Sequence, residues 1–213
     1  IRDGTKQDIW IYDLTRDTLT RLTFDGASSY PVWTPDGKRV AYRSQKSGLP
    51  PNLFWKPADG SGSEERMTTG ENQQTPTAFA PGGQGLFYSD LNSKSLWDIW
   101  FLPLEGERKP RPVLQTPFDE RIGRVSPDGR WLSYLSNESG RFEVYVQPFP
   151  GPGGKWQIST EGGAEAAWSP TGNELFYRTG DQREKVMTVD VQTQPAFNAG
   201  KPRLLFDEPY ANN

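Results

Sequence analysis

Six carboxylates fall in short polar segments that recur along the chain: Asp25, Glu71, Asp119, Glu120, Glu161 and Glu165. Two such groups facing one another, one protonated and one ionised, could hydrolyse a glycosidic bond. Other hydrolytic chemistries lack their parts. The chain has no histidine and no cysteine, which removes Ser-His-Asp and Cys-His catalysis, thiolate–zinc sites and disulfides. The GxSxG elbow, the GxxxxGKS/T phosphate loop, HExxH and the EF-hand loop are also absent. Gly153-Gly154-Lys155 lacks the first glycine at the phosphate-loop spacing and the following Ser or Thr, and reads as an inter-strand loop. No catalytic residue, cofactor or metal ligand is therefore assigned, and the six acids read as ordinary polar loop residues.

The same segments read more readily as binding elements. Just before each predicted inner strand stand Ser29 and Tyr30, Gln74 and Thr75, Glu120 and Arg121, and Glu165. Together they offer an aromatic ring, an amide, a guanidinium fork and carboxylates. They can act together only if the elements that carry them converge.

An internal repeat brings them together. A turn recurs as TPDG (34–37), APGG (80–83), SPDG (126–129) and SPTG (169–172), with Pro35, Pro81, Pro127 and Pro170 spaced 46, 46 and 43 residues apart. An aromatic strand recurs as DIWIYDL (8–14), NLFWKPA (52–58), DIWFLPL (98–104), EVYVQPF (143–149) and KVMTVDV (185–191), its first apolar residues spaced 44, 46, 45 and 42. Within residues 32–69, Val32-Trp33 starts a short inner strand and Thr34-Pro35-Asp36-Gly37 is a tight turn. Arg39–Arg43 alternates as a second strand, and Gln45-Lys46-Ser47-Gly48 breaks it. Leu53-Phe54-Trp55 is the third strand and Glu65–Thr68 the outer one. Four short strands at a period of about 45 residues are the mark of a propeller blade, which cannot bury its faces without neighbours.

The fold class is therefore all-β: a β-propeller of four-stranded blades, about four and a half to five in number, and a fragment of a larger propeller. Residues 1–30 read as a half blade, and 31–75, 77–121, 123–163 and 166–207 as full blades, with Asp207-Glu208-Pro209-Tyr210 leading into another. In such a fold the connections from each outer strand to the next inner strand cross one face near the axis, so the residues named above line one mouth. Trp33, Phe79, Trp168, Tyr42, Tyr88, Tyr134 and Tyr177 occupy repeated positions and are predicted core. Trp97, Trp100 and Phe101 are predicted core as well, with a peptide-contact patch as the alternative. Open sheet edges seek partners, so the chain is expected to close tightly on itself or to pair edge to edge with a second copy.

Bulk properties agree. Lys and Arg number 24 against 27 Asp and Glu, a net charge of −3, so no basic footprint marks nucleic acid or an anionic membrane as a partner. No stretch approaches the roughly 20 apolar residues of a membrane span. Low hydrophobic content (33%) with high aromatic content (13%) suits many short strands.

The units TPDGKRVAYRSQKSG (34–48), SPDGRWLSYLSNESGRFEVYV (126–146) and TRLTFDG (20–26) resemble the WD40-like repeat of TolB-type propellers. EVYVQPFPGPGGKWQIST (143–160) with WSPTGNELFYR (168–178) resembles the propellers carried C-terminal to bacterial Ser/Thr protein kinase domains, although the chain has no Gly-rich loop, HRD or DFG. Pro81-Gly82-Gly83 and Thr171-Gly172 depart from the Pro-Asp-Gly pattern, so those turns are expected to differ in hydrogen bonding. Ser126–Trp131 is also similar to the Asp box of sialidase propellers, but a turn that occurs once per unit is structural. The resemblance implies an extracytoplasmic sensor that binds a protein or peptide partner or a small ligand, without catalysis of its own. The alternative is a hydrolase-associated propeller: a glycosidase using the loop carboxylates, or the accessory domain of a serine peptidase.

Overall fold

Alternating residues in short runs, many of them closed by a glycine at positive φ, give this chain strands and tight turns. The computed structural model describes residues 1–4, 6–46, 50–94, 96–180 and 184–207. The expected break at Ser47-Gly48 and the lead-in at Glu208-Pro209-Tyr210 lie outside them. A separate small hairpin, β1 (Arg2–Asp3) and β2 (Lys6–Gln7), precedes a two-stranded pair, β3 (Trp10–Asp13) and β4 (Thr18–Arg21), which is the partial blade I. Blade II is β5 (Ser28–Trp33), β6 (Arg39–Ser44), β7 (Asn52–Pro57) and β8 (Glu65–Arg66). Blade III is β9 (Gln73–Phe79), β10 (Gly85–Asn92), β11 (Leu96–Pro103) and β12 (Arg111–Leu114). Blade IV is β13 (Glu120–Val125), β14 (Trp131–Ser136), β15 (Glu143–Pro148) and β16 (Trp156–Gln157). Blade V is β17 (Ala164–Trp168), β18 (Glu174–Thr179) and β19 (Lys185–Gln192), with β20 (Asn198–Ala199) and β21 (Arg203–Asp207) both paired to β19. All of these pairings are antiparallel.

The inner strands β5, β9, β13 and β17 pack side by side in that order, which sets the blades around an axis. Apolar side chains fill the seams between blades. Ile9 and Leu22 meet Tyr42 and Phe54 between I and II. Ala41, Leu53 and Trp55 meet Leu86, Tyr88 and Leu102 between II and III. Phe87, Ile99 and Phe101 meet Leu132 and Tyr134 between III and IV. Trp131, Leu135 and Val144 meet Leu175, Tyr177 and Val189 between IV and V. Trp100 packs on the II–III side of its blade and Phe101 on the III–IV side, so β11 spends both rings on core.

A polar clamp recurs at the start of the third strand in blades I, II and IV. Asp8 accepts hydrogen bonds from Arg21 (2.6 Å), Thr23 (3.0 Å) and the Gly26 N–H (3.1 Å), while the Thr23 hydroxyl accepts from the Ile9 N–H (2.9 Å). In blade II, Asn52 accepts from Arg66, and Thr68 accepts from the Leu53 N–H (3.1 Å). In blade IV, Glu143 accepts from Arg141 (2.8 Å) and Ser159, and Ser159 accepts from the Val144 N–H (2.8 Å). Burial alone would raise the Asp8 pKa. The Arg21, Gly26 and Thr23 hydrogen bonds outweigh it and hold the carboxyl below its usual range.

The four repeated turns keep one main-chain bond, from Gly37, Gly83, Gly129 and Gly172 N–H to the residue before the proline, at 2.9–3.0 Å. Their side-chain bonds differ, as expected from the departures in sequence. Asp36 accepts from Thr34 (2.7 Å) and Asp128 from Ser126 (2.5 Å), and Asn173 takes that role beside Ser169 (3.2 Å). Ala80-Pro81-Gly82-Gly83 is a 3-10 turn with no side-chain bond.

One core assignment is corrected. Phe79 and Trp168 pack against the preceding blade, but Trp33, at the same repeat position, is 49% exposed. Blade I has no inner strand among the described residues, so nothing covers this ring.

Gly85 marks the tightest approach. A Cβ there would lie 2.1 Å from Phe101 Cζ and 2.7 Å from the Leu102 carbonyl oxygen. Phe101 itself is held by Phe87 and Phe149, with ring centroids 4.9 and 6.1 Å away. Gly85→Ala is therefore expected to cost about 1–3 kcal/mol by overpacking, read as a lower urea midpoint at unchanged slope.

Candidate functional site at the axial ends of the inner strands

Each inner strand is bulged at one place. Tyr30-Pro31, Ile122-Gly123 and Glu165-Ala166 each oppose a single residue on the second strand, namely Tyr42, Tyr134 and Tyr177. In blade III the extra residue is Thr77, opposite the step from Phe87 to Tyr88. The repeated tyrosine thus sits beside the bulge in every full blade. Burial pushes the phenols of Tyr42 and Tyr177 up to about 12, so they stay neutral.

The first bulge residue is left-handed in three blades: Tyr30 (φ 55°), Ile122 (φ 55°) and Glu165 (φ 54°). The equivalent residue in blade III is Pro76, whose ring fixes a negative φ. Side chains rarely adopt this conformation, least of all a β-branched one such as Ile122, and each instance costs on the order of 1–3 kcal/mol. The fold imposes the geometry while the side chain varies from aromatic to aliphatic to acidic.

The sequence-predicted residues fall into three situations. Ser29, Tyr30, Thr75 and Glu165 lie on the inner strands and are at least partly exposed. Tyr30 is 56% exposed, Arg43 lies over its ring at 4.8 Å, and the same arginine donates to Thr75 across the II–III seam (3.4 Å). Glu165 engages Arg178 at 3.1 Å. Arg121 is committed to Asp119 by two bonds of 2.5 and 2.6 Å and lies over the rings of Phe142 and Trp97. Gln74 and Glu120 are buried. Gln74 donates to Asp90 (2.9 Å) and accepts from Thr68, so it ties strands together. Arg43, Arg124 and Arg178 were missed by sequence reasoning. Arg43 and Arg178 each follow the repeated tyrosine, a signal that was available, whereas Arg124 carries none.

The loop carboxylates do not form a facing acid–base pair. Asp25 accepts from Ser28 (2.9 Å) and Ser44 (2.7 Å), Asp119 pairs with Arg121, Glu165 with Arg178, and Glu71 and Glu161 are exposed. Among the described residues no group of three or more acids could hold a metal ion.

Comparison with known proteins places this geometry. No protein-family model matches the chain. Among curated proteins it is 24% identical over 186 residues to an uncharacterized protein of Agrobacterium fabrum, covering 81% of this chain and 61% of that one. It is 27% identical over 168 residues to the Tol-Pal system protein TolB of Wolinella succinogenes, covering 72% and 38%. Crystalline TolB from Acinetobacter baumannii superposes with a TM-score of 0.72 at 19% identity, over 95% of this chain and 50% of that one. The chain therefore has the propeller fold seen in TolB. It spans less than two thirds of either curated relative. The same fold appears in the nidogen/laminin complex (TM-score 0.69, 14% identity, 97% and 77% covered) and in prolyl endopeptidases (0.63, 13%, 95% and 33%).

Glu120 yields a test of the buried residues at the start of the inner strands. Its Oε1 accepts from Thr116, while its buried Oε2 has no partner among the described residues. Burial raises its pKa, Thr116 partly opposes this, and the charges of Asp98 and Glu138 add to the rise. A carboxyl raised on folding contributes stability below its unfolded pKa and loses it as pH climbs through the folded value. Glu120→Gln is therefore expected to melt like the parent near pH 4. At pH 7 it should melt about 2–4 °C higher, the shift that a gain of about 1 kcal/mol produces in a chain of this size.

Proposed function

We propose that the chain is a non-catalytic binding propeller, and that Ser29, Tyr30, Thr75, Arg121 and Glu165 receive a protein or peptide partner at the axial end. The observation that carries this reading is the left-handed bulge residue, held at the same φ in three blades while its side chain differs. The ladder itself imposes the bulge, so its side chain is free to vary, and in blade II that side chain is a half-exposed tyrosine beside Arg43. Exposed tyrosine beside arginine is also the pairing that dominates interface energetics. TolB of the Tol-Pal system and the nidogen/laminin complex, by their names, belong to assemblies, which supports a partner of the same kind. An extracytoplasmic setting belongs to this proposal through the TolB resemblance. The prolyl endopeptidase likeness favours no catalysis here, since the chain has no histidine and its axial acids are committed to partners.

A second reading concerns the edge. β21 is exposed along its length, with Leu204 and Leu205 54% and 51% exposed. Such an edge favours pairing with a second copy. Light scattering should then read a mass that rises with concentration and falls to that of one chain in Leu204→Lys; a single-chain mass throughout removes this reading.

Peptides selected from a random displayed library on the immobilised chain test the axial reading. Tyr30→Ala is expected to weaken them by about 2 kcal/mol, roughly 30-fold, while Leu14→Ala, remote and 88% exposed, leaves them unchanged. Peptides indifferent to Tyr30 would move recognition elsewhere. Panels of glycoside and prolyl-peptide substrates should show no turnover that Glu165→Gln abolishes.

A further inference from the structure

The innermost strand of blade IV carries an arginine with no partner. Arg124 pairs across β13–β14 with Ser133. The neighbours of Ser133 on the same face, Trp131 and Leu135, belong to the seam with blade V, so Arg124 lies in that seam where β13 packs on β17. The backbone there is fixed. The Arg124 carbonyl oxygen accepts from Trp168 Nε1 (3.1 Å) and Ser133 Oγ (3.1 Å). The guanidinium has no such support. Its Nε is buried and finds no acceptor among the described residues, and no carboxylate forms an ion pair with it.

Desolvation pushes this arginine's pKa down, and Glu165 on β17 is the charge that opposes the fall. Glu165 is already engaged by Arg178 at 3.1 Å. Glu165 thus bonds the guanidinium of Arg178, while Arg124 feels its charge without a hydrogen bond to it. A half-buried charge without a counterion is costly, and an ordinary core position would hold an apolar residue. The equivalent inner-strand positions do so: Val32, Ala78 and Ala167.

We propose that Arg124 is the anchor of a carboxylate-binding subsite in the axial IV–V seam, taking either the free C-terminus of a partner peptide or an Asp or Glu side chain. The planar fork matches a carboxylate with two parallel N–H···O bonds, and the seam removes competing water. This inference rests on the axial-binding reading above and names the chemistry that the mouth would take.

The buried Nε–H of Arg124 supplies its own readout. The ¹⁵N-labelled chain is titrated with N-acetyl-alanine, which has a free C-terminus, with N-acetyl-glutamate amide, which has a side-chain carboxylate, with neutral N-acetyl-alanine amide, and with inorganic phosphate. The Arg124 Nε–H resonance, assigned by its loss in Arg124→Met, is expected to shift saturably with one or both carboxylates and not with the amide. Whichever carboxylate binds more tightly identifies the source. Arg124→Lys keeps the charge but loses the fork and should bind about tenfold or more weakly. Arg124→Met should bind nothing yet melt no lower than the parent, because an apolar side chain replaces an unpaired buried charge. No saturable shift, an equal shift with the amide, a response to phosphate alone, or a large loss of stability in Arg124→Met would each overturn the subsite. Tyr30-dependent peptides that bind equally well without any carboxylate would overturn it too, while leaving the axial-binding reading intact.

Discussion

The clamp that ties the third strand of a blade to its fourth is the interaction on which the remaining architecture leans. Blades I and II each carry a buried acid or amide, an arginine and a hydroxyl, and blade IV uses the same parts with its arginine drawn from Arg141. The hydroxyl accepts the main-chain N–H at the start of the third strand, where the short outer strand cannot pair. Outer strands of only two residues, such as Glu65–Arg66 and Trp156–Gln157, would fray without it. Buried polar groups of this kind are costly unless fully satisfied. They therefore specify a register that apolar seams alone would leave loose.

Much of this was legible in the residues. The proline spacing of 46, 46 and 43 announced the period, and Pro-Asp-Gly has a conformational reason to turn a chain. The Arg-Leu-Thr run at 21–23 was visible as a pattern, but its purpose required knowing that Asp8 lies opposite it. The core reading failed at Trp33 because a repeat position predicts burial only where the neighbouring blade supplies the covering strand. The left-handed bulge could not be read at all. Tyr30, Ile122 and Glu165 share no chemistry, since the conformation comes from two residues opposing one across the ladder and not from any local preference. Arg124 was equally silent, because its three counterparts are small and apolar.

The axial end combines two kinds of position. Gln74 and Asp90 are buried and bonded to each other across β9 and β10, and Glu120 is buried beside Thr116, so their polar types serve the interior. Tyr30, Arg43, Thr75 and Glu165 are less buried than this group, and Arg43 reaches Thr75 across the II–III boundary. Polar character in the sequence could not separate the two groups, whereas burial does. The less buried group also sits on strands and not on free loops, which lowers the ordering cost of any contact its members make.

The turn at Ala80–Gly83 stands apart from its three counterparts. They are braced by a side chain, but this one is closed by main-chain bonds alone, Gly83 N–H to Ala80 and Ala80 N–H to Gly85, with two glycines at positive φ. Lengthening it would discard no side-chain brace, and loop-closure entropy rises only slowly with added residues. Of the four hairpin tips, this one is the natural place to graft a foreign epitope or reporter, on the face opposite the axial mouth.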